Sequence, residues 1–172
     1  QLPDIITMQV RVAIYEDDLE EAAALIDDVD LPLSQARILL ARGETTPALS
    51  TLEALRDFVE AKGWHDERLK VMVLQALAYY QLGDQDTAIN IIAEVLLQTQ
   101  SEGFIRLFVD EGLPMAHLLS DAAREGISPD TITTLIAAIK RDTPTTQRST
   151  SDQPMMEPLS ERELEVLQLI AD

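Results

Sequence analysis

Apolar residues recur every three or four positions along most of the first 141 residues. This is the period of a helix that buries one face. The clearest case is Ile132, Leu135, Ile136 and Ile139, at positions i, i+3, i+4 and i+7. No stretch shows a convincing alternation of apolar and polar residues, which would predict a β-strand. The pattern therefore predicts an all-α chain of about eight short helices joined by short turns.

Glycine, proline and capping residues predict where these helices begin and end. Glycine favours the left-handed conformation that follows a helix, and proline is tolerated in the first helical turn. The predicted helix ends are Gly43, Gly63, Gly83 and Gly126. The predicted starts are Thr46-Pro47, Asp66, Asp84 or Asp86, Pro114 and Ser128-Pro129, with two short helices flanking residues 16–18 and another over Phe104–Val109.

Part of the chain repeats with a period of 40 residues. Gln35-Ala36, Gly43 and Ala48 recur as Gln75-Ala76, Gly83 and Ala88. Each copy ends a helix at glycine, makes a polar turn and opens the next helix with a small residue that lets two helices approach closely. Asp17 and Ala22 suggest a third, degenerate copy in which Asp17 stands where the glycine would be. The copies resemble tetratricopeptide repeats, and the alternative is a generic antiparallel helical bundle.

Composition and charge exclude several classes of function and site. The chain has 31 acidic and 13 basic side chains, a net charge of −18, and no cysteine. Phosphate contacts supply most non-specific DNA affinity, so this chain should not bind DNA by itself. The absence of cysteine excludes disulfides and thiolate metal sites and is compatible with a cytoplasmic location. No apolar run approaches the length of a membrane span.

The pattern changes after residue 141. Residues 142–157 are polar and rich in Pro, Ser and Thr, which predicts a flexible linker between a helical domain, residues 1–141, and a last segment, residues 158–172. In that segment Ser160 and Glu163 form a potential capping box, followed by an apolar stripe of Leu164, Leu167 and Ile170. The segment resembles the opening of the LuxR-type helix-turn-helix domain. We expect it to be the truncated start of such a domain.

A second segment strengthens this resemblance. Residues 103–112 read Gly-Phe-Ile-Arg-Leu-Phe-Val-Asp-Glu-Gly, followed by Leu-Pro-Met115. Together with the helical repeats and the last segment, it resembles the large ATP-dependent LuxR-type, MalT-like transcriptional regulators. The resemblance implies a right-handed superhelix of antiparallel helix pairs, an α-solenoid, lying between a nucleotide-binding module and a DNA-binding domain. ATP would belong to that other module, since this chain has no phosphate-binding loop motif; we expect no cofactor here.

Candidate chemistry is sparse. His65 and His117 lie in different predicted elements without metal-ligand spacing, and no serine has the setting of a nucleophile, so we expect neither a metal site nor an enzyme. A ligand or partner surface is the more open possibility, with Trp64, Tyr79 and Arg106 as candidates. Tyr80 falls on an apolar stripe and is expected in the core. Arg106 and Asp110, at i and i+4, are expected to pair.

The sequence thus predicts an effector-sensing and self-association segment of a LuxR-type regulator. A small-molecule inducer or a regulatory protein would bind it, and DNA would be bound only by the parent's C-terminal domain. The alternative is a scaffold domain that binds a peptide or protein without an inducer.

Overall fold

The computed structural model describes residues 2–99 and 104–142. Within these ranges the chain forms nine α-helices and no strand, which confirms the predicted all-α class. Residues 143–157 of the predicted linker and the segment 158–172 lie outside the described residues, whereas Asp142, predicted to be the first residue of the linker, is the last residue of α9. The helices are α1 Leu2–Tyr15, α2 Leu19–Ala24, α3 Pro32–Ala41, α4 Thr45–Lys62, α5 His65–Gln81, α6 Gln85–Thr99, α7 Ile105–Val109, α8 Gly112–Arg124 and α9 Pro129–Asp142.

The three turns of the predicted repeat have the same backbone geometry. Asp17, Gly43 and Gly83 have φ angles of 61°, 75° and 84°, so each lies in the left-handed region. In each turn the next amide donates to a carbonyl five residues earlier: Asp18 to Ala13 at 2.9 Å, Glu44 to Leu39 at 2.8 Å, and Asp84 to Tyr79 at 3.0 Å. These bonds satisfy carbonyls that a helix end leaves open. The same geometry recurs at Gly63 and Gly126, where Trp64 and Ile127 donate to Val59 and Ala122, so this turn is common to several helix ends of the chain and is not specific to the repeat.

The small residues of the repeat lie in the core. Ala22, Ala48 and Ala88 are completely buried and lie at the same distance from their turn residues. A side chain this small lets two helices pack closely. Gln35 and Gln75 differ, because Gln35 is exposed whereas Gln75 is buried and accepts a hydrogen bond from Arg56 Nη1 at 3.3 Å. The repeat thus preserves backbone geometry and small residues more than polar contacts.

Helix α5 is the centre of the fold. It contacts α3, α4, α6, α7 and α8. Residues 71–78 are all buried, so this helix has no solvent-facing side over two turns. A helix that is buried all round has little amphipathic character. The first helices of successive pairs also lie side by side, since α3 contacts both α1 and α5.

Two hydrophobic clusters result. The larger one runs from α3 to α9 and includes Leu52, Met72, Ile92 and Phe108. The smaller one is formed by Val10, Ala13 and Ala22 of α1 and α2 with Ile38 of α3. The first helix pair therefore attaches to the remainder through a small apolar contact of its own.

Three of the predicted helix starts are wrong by one or two residues. The helix predicted from Thr46-Pro47 begins at Thr45, the one predicted from Asp66 begins after Trp64, and the one predicted from Pro114 begins at Gly112. In the first two cases the glycine turn sets the start, because its backbone bonds place Glu44 and Trp64 at the cap without a side-chain bond. Asp84 does cap α6, accepting from Thr87 N at 3.2 Å.

Within the described residues no helix is long and apolar enough to cross a membrane.

Candidate functional site

A groove of about 890 Å³ lies along the first helices of successive pairs. Its walls come from α1, α3 and α5 on one side and from residues 106–114 on the other, and Asp142 at the end of α9 also lines it. This volume lies within the range of small-molecule sites in proteins. Residues near both ends of the described chain therefore line the groove.

The floor of the groove is apolar. Leu40, Leu74, Leu77 and Val109 line it and are at least nine-tenths buried. Around the rim, apolar side chains are more than half exposed: Met8, Val12 and Tyr15 of α1, and Leu113 of α8. Exposed apolar residues beside an apolar floor mark a surface suited to binding.

The strongest polar contact of the groove joins Arg37 of α3 to Glu111. Arg37 Nη2 donates to Glu111 Oε1 at 2.6 Å, and Arg37 Nε donates to the same oxygen at 3.1 Å. The side chains are only 13% and 8% exposed, so the pair is nearly dry. Burial alone lowers the pKa of Arg37, but the attraction of Glu111 outweighs it and the pKa is raised above its ordinary value. The ion pair therefore favours the charged form of Arg37.

Four more charged side chains line the groove beside this pair. Arg11 Nη2 lies 2.7 Å from Asp110 Oδ1, and Arg106 Nη1 lies 3.4 Å from that same oxygen. Arg106 Nη1 also donates to Asp142 Oδ2 at 3.1 Å. The groove thus contains three arginines and three carboxylates, a local balance in a protein of net charge −18.

Two of these ion pairs link α1 and α3 to the turn between α7 and α8. Among the described helices, no Cα of α1 or α3 lies within 8 Å of a Cα of α7, α8 or α9. Arg11–Asp110 and Arg37–Glu111 therefore connect parts of the chain through their side chains, where the helix backbones on either side are more than 8 Å apart. Gln81, which also lines the groove, is paired as well: it accepts from Thr45 Oγ1 at 3.1 Å, and its Nε2 donates to Leu40 O at 3.3 Å.

Of the three surface residues predicted from the sequence, the structure brings only Arg106 into the groove. Trp64 is 51% exposed at the start of α5 and packs edge-on against Phe58, with ring centroids 5.7 Å apart. Tyr79 is partly buried and packs against the larger hydrophobic cluster. Tyr80 packs there too, as expected, and its hydroxyl donates to Asp121 Oδ2 at 2.6 Å. The predicted Arg106–Asp110 pair is confirmed.

Sequence reasoning missed Arg11, Arg37 and Glu111 as groove residues. One signal was present, since Arg11 is the single base among the first thirty residues, nine of which are acidic. A lone base in such surroundings has acidic partners in reach. Its partner Asp110 is 99 positions away, and no local pattern indicates that distance.

No metal centre accompanies the groove in the described part of the chain: no group of three or more His, Cys, Asp or Glu side chains there could hold a metal ion. His117 lies on an exposed face of α8 and His65 at the exposed start of α5. The chemistry that the groove offers is therefore charge pairing, hydrogen bonding and apolar contact.

Comparison with protein families identifies the helical part of the chain. The family model of the MalT-like TPR region matches residues 6–125, more than half of the sequence. The chain belongs to this family. Searches of curated proteins and of solved structures gave no match. The MalT-like region ends with α8, so it includes Arg11, Arg37, Arg106, Asp110 and Glu111 but not Asp142.

The MalT-like region also includes the segment 104–112 that was conspicuous in the sequence. Its charged residues all have partners across or along the groove, and Phe108 is almost completely buried beneath them. Gly112 closes the segment with a φ of 66°, where a Cβ would be strained. The segment therefore anchors one wall of the groove and presents its charges.

Proposed function

We propose that this chain is the effector-sensing and self-association segment of a LuxR-type transcriptional regulator, and that the groove is its binding site. The observation that carries this proposal is the position of the groove. It lies between the first helix pairs and residues 106–142; α5 contacts both sides directly, whereas α1 and α3 reach residues 110 and 111 through ion pairs. A molecule that fills the groove would therefore change how the two ends of the helical region are held.

The groove suits an effector with an apolar body and polar groups at its edge. The apolar body would contact Leu40, Leu74 and Leu77. Its polar groups would replace one partner in the ion pairs that line the groove. Arg106 and Asp142 are the accessible members, with side chains 73% and 51% exposed. Exposed ion pairs contribute little to stability, so a bound effector could replace this one at low cost.

Asp142 also suggests how binding would be relayed. It is the last residue of α9, lies on the groove wall and is the first residue of the predicted linker. We propose that effector binding moves or releases the end of α9, and that the linker passes this change to a DNA-binding domain. In the same proposal the helix pairs form a right-handed superhelix, the segment acts without catalysis or a cofactor of its own, and its location is cytoplasmic.

A thermal-shift screen tests the sensing role. The protein would be heated with sugars, amino acids, nucleotides, short carboxylic acids and candidate signalling proteins, and each hit would be followed by titration calorimetry and sedimentation velocity. We expect at least one compound to raise the melting temperature and to change the sedimentation coefficient. Ala41→Trp is the matched variant, because Ala41 is exposed and lines the groove. Ala61→Trp, on the exposed surface of α4, is its control.

A scaffold that binds a peptide is the second candidate. The apolar rim favours it, because Met8, Val12 and Tyr15 continue along α1 to Ile5 and Leu2, all more than half exposed. A peptide lying in the groove could extend along this stripe, whereas a small effector would leave it uncovered. Capture of a partner by the immobilised protein without added metabolite, and loss of capture in Ala41→Trp, would favour the scaffold over the sensor.

A further inference from the structure

An exposed aromatic pair lies where α4 is followed by α5, outside the groove. Phe58 of α4 and Trp64, the residue before α5, are 50% and 51% exposed, and their rings meet edge to face with centroids 5.7 Å apart. Neither residue lines the groove. We call these two residues the aromatic patch. Two large apolar side chains that stay half exposed next to each other form a surface that a partner can bury.

The backbone holds the aromatic patch in one position. Gly63, with a φ of 68°, turns the chain, and the amide of Trp64 donates to the carbonyl of Val59 at 3.0 Å. The carbonyl of Trp64 accepts from the amide of Arg68 at 3.0 Å, so both polar groups of the Trp64 backbone are bonded. Phe58 is fixed on α4 beside the buried Val59. Little backbone freedom is therefore lost when a partner covers the patch, which favours binding.

The exposed face of α4 beside the patch carries negative charge. Glu53 and Asp57 are exposed at positions i and i+4, and in the described part of the chain neither carboxylate has an ion pair or a hydrogen bond. Two like charges at this spacing repel each other. Ala54, also exposed, lies one turn before Phe58. Such a small residue leaves room for the close approach of a second helix.

The cations nearest in sequence to these carboxylates have other partners. Arg56 and Arg68 both bind Glu60, at 2.9 and 3.1 Å. Lys62 places its ammonium group 5.7 Å from the centre of the Phe58 ring, within the range of a cation–π contact. The aromatic patch thus already attracts one cation. A cation supplied by a partner would meet both an aromatic surface and two uncompensated carboxylates.

We propose that the aromatic patch, together with Glu53, Ala54 and Asp57, is a docking surface for a basic amphipathic helix of a partner protein. Apolar side chains of that helix would cover Phe58 and Trp64, and its arginines or lysines would pair with the two carboxylates. An acidic partner or a second copy of this chain would bring further negative charge to a chain of net charge −18. The surface is separate from the groove, so this inference goes beyond the proposed function.

Trp64 makes a local test possible, because it is the single tryptophan of the chain. The probe is a synthetic peptide of leucine and arginine, with its leucines at helical spacing and no aromatic residue. As it is added to the full chain, we expect the fluorescence of Trp64 to shift to shorter wavelength and to saturate. The same peptide with glutamate in place of arginine should cause no shift. Absence of a saturable shift with the arginine peptide would overturn the proposal.

Two double variants separate docking from general attraction to an acidic chain. Glu53→Gln with Asp57→Asn removes the carboxylates beside the patch, and we expect the Kd of the arginine peptide to rise about fivefold, the loss for two exposed ion pairs. Asp27→Asn with Asp28→Asn removes the same charge from another exposed site. Its Kd should stay within about twofold of that of the unsubstituted chain. Equal increases in both double variants would overturn the proposal.

Phe58→Ala tests the aromatic contact, with titration calorimetry as the readout because the substitution also changes the surroundings of Trp64. Removal of an aromatic side chain at the centre of an interface weakens binding strongly, so we expect the Kd to rise at least about tenfold. Leu82→Ala, at the other end of α5 and 53% exposed, is the control and should bind like the unsubstituted chain. An unchanged Kd in Phe58→Ala would contradict the proposal. If this variant failed to fold, the two double variants would decide.

Sedimentation velocity without peptide tests the other occupant. We expect the sedimentation coefficients of the unsubstituted chain and of Phe58→Ala to depend on concentration in the same way. Self-association that Phe58→Ala abolishes would show that a second copy covers the aromatic patch, and would overturn its assignment to a basic partner.

Discussion

Arg37 and Glu111 are 74 residues apart in the chain and form a nearly dry ion pair, with Nη2 and Oε1 2.6 Å apart. The pair fixes α3 to the segment before α8, where the backbones of α3 and α8 do not approach. Such a pair costs much solvation to bury, and removing one partner leaves the other charge without compensation.

We therefore expect Arg37→Met and Glu111→Leu each to lower the free energy of unfolding by about 3 kcal/mol. The double variant should lose less than about 1 kcal/mol, because no unpaired charge remains buried. Urea denaturation of the four proteins measures this coupling. Lys70→Met is the control, since the exposed Lys70–Glu67 pair should contribute less than about 1 kcal/mol. Additive losses in the double variant would contradict the interpretation of Arg37–Glu111 as a coupled pair.

Asp17 and Gly43 occupy equivalent turns, with φ angles of 61° and 75°. A non-glycine residue in this region carries backbone strain, so Asp17→Gly should raise the free energy of unfolding by about 1 kcal/mol. Gly43→Ala should lower it by about 1 kcal/mol for the same reason, because a Cβ at Gly43 would meet no atom within 4 Å and only the backbone is strained. Thermal denaturation of both variants measures the effect. Changes of the same sign would show that the two turns are not equivalent.

Tyr80 makes the stability of the folded protein depend on pH in the alkaline range. The hydrogen bond that it donates to Asp121, and then its burial, raise the pKa of the Tyr80 hydroxyl above its ordinary value. The folded state thus keeps the proton where the unfolded state has lost it. The stability contributed by this bond is fully present below about pH 10, the pKa of tyrosine in an unfolded chain, and is lost as the pH rises through the folded-state pKa.

We expect the difference in unfolding free energy between the unsubstituted protein and Tyr80→Phe to be constant from pH 7 to about pH 9 and to shrink above about pH 10. Urea titrations at several pH values measure this difference, in which the other titrating groups cancel. A difference that stayed constant up to pH 11 would show that the Tyr80–Asp121 bond is not coupled to this proton.

The charge of −18 predicts that the chain does not bind DNA by itself. Non-specific affinity comes from neutralising phosphates, and here acidic side chains outnumber basic ones by more than two to one. In fluorescence anisotropy with a labelled duplex of 20 base pairs in 50 mM salt, we expect no change up to protein concentrations of tens of micromolar. Saturable binding that weakens as salt is added would contradict this expectation.

The sequence predicted those parts of the fold that depend on neighbouring residues. The glycine turns at Gly43 and Gly83 and the buried Ala48 and Ala88 were correctly identified, because backbone conformation and side-chain size act locally. The start of α4 was placed too late at Thr46-Pro47, because the backbone of the turn caps this helix and Thr45 is buried against Gln81. A capping residue or proline in the sequence therefore predicts the start of a helix less accurately than a glycine turn, whose backbone hydrogen bonds fix the residues before and after it.

The groove was not predictable in the same way. Arg106 is a candidate from the sequence because exposed polar and aromatic groups on a helical solenoid collect partners, and the structure places it in the groove. Arg11 and Arg37 reach carboxylates in that segment from helices far along the chain. Nothing in the spacing of charges within α1 or α3 indicates which distant carboxylate each arginine meets. Such pairs become visible only once the packing of the helices is known.

We propose the groove along α1, α3 and α5 as the site where the protein binds its effector. Titration calorimetry of a compound from the thermal-shift screen into three proteins tests it most directly: the unsubstituted chain, Ala41→Trp and Ala61→Trp. We expect Ala61→Trp to bind like the unsubstituted chain and Ala41→Trp to lose at least tenfold in affinity, about 1.4 kcal/mol. Equal affinity in all three proteins would contradict the claim and would place the binding site elsewhere.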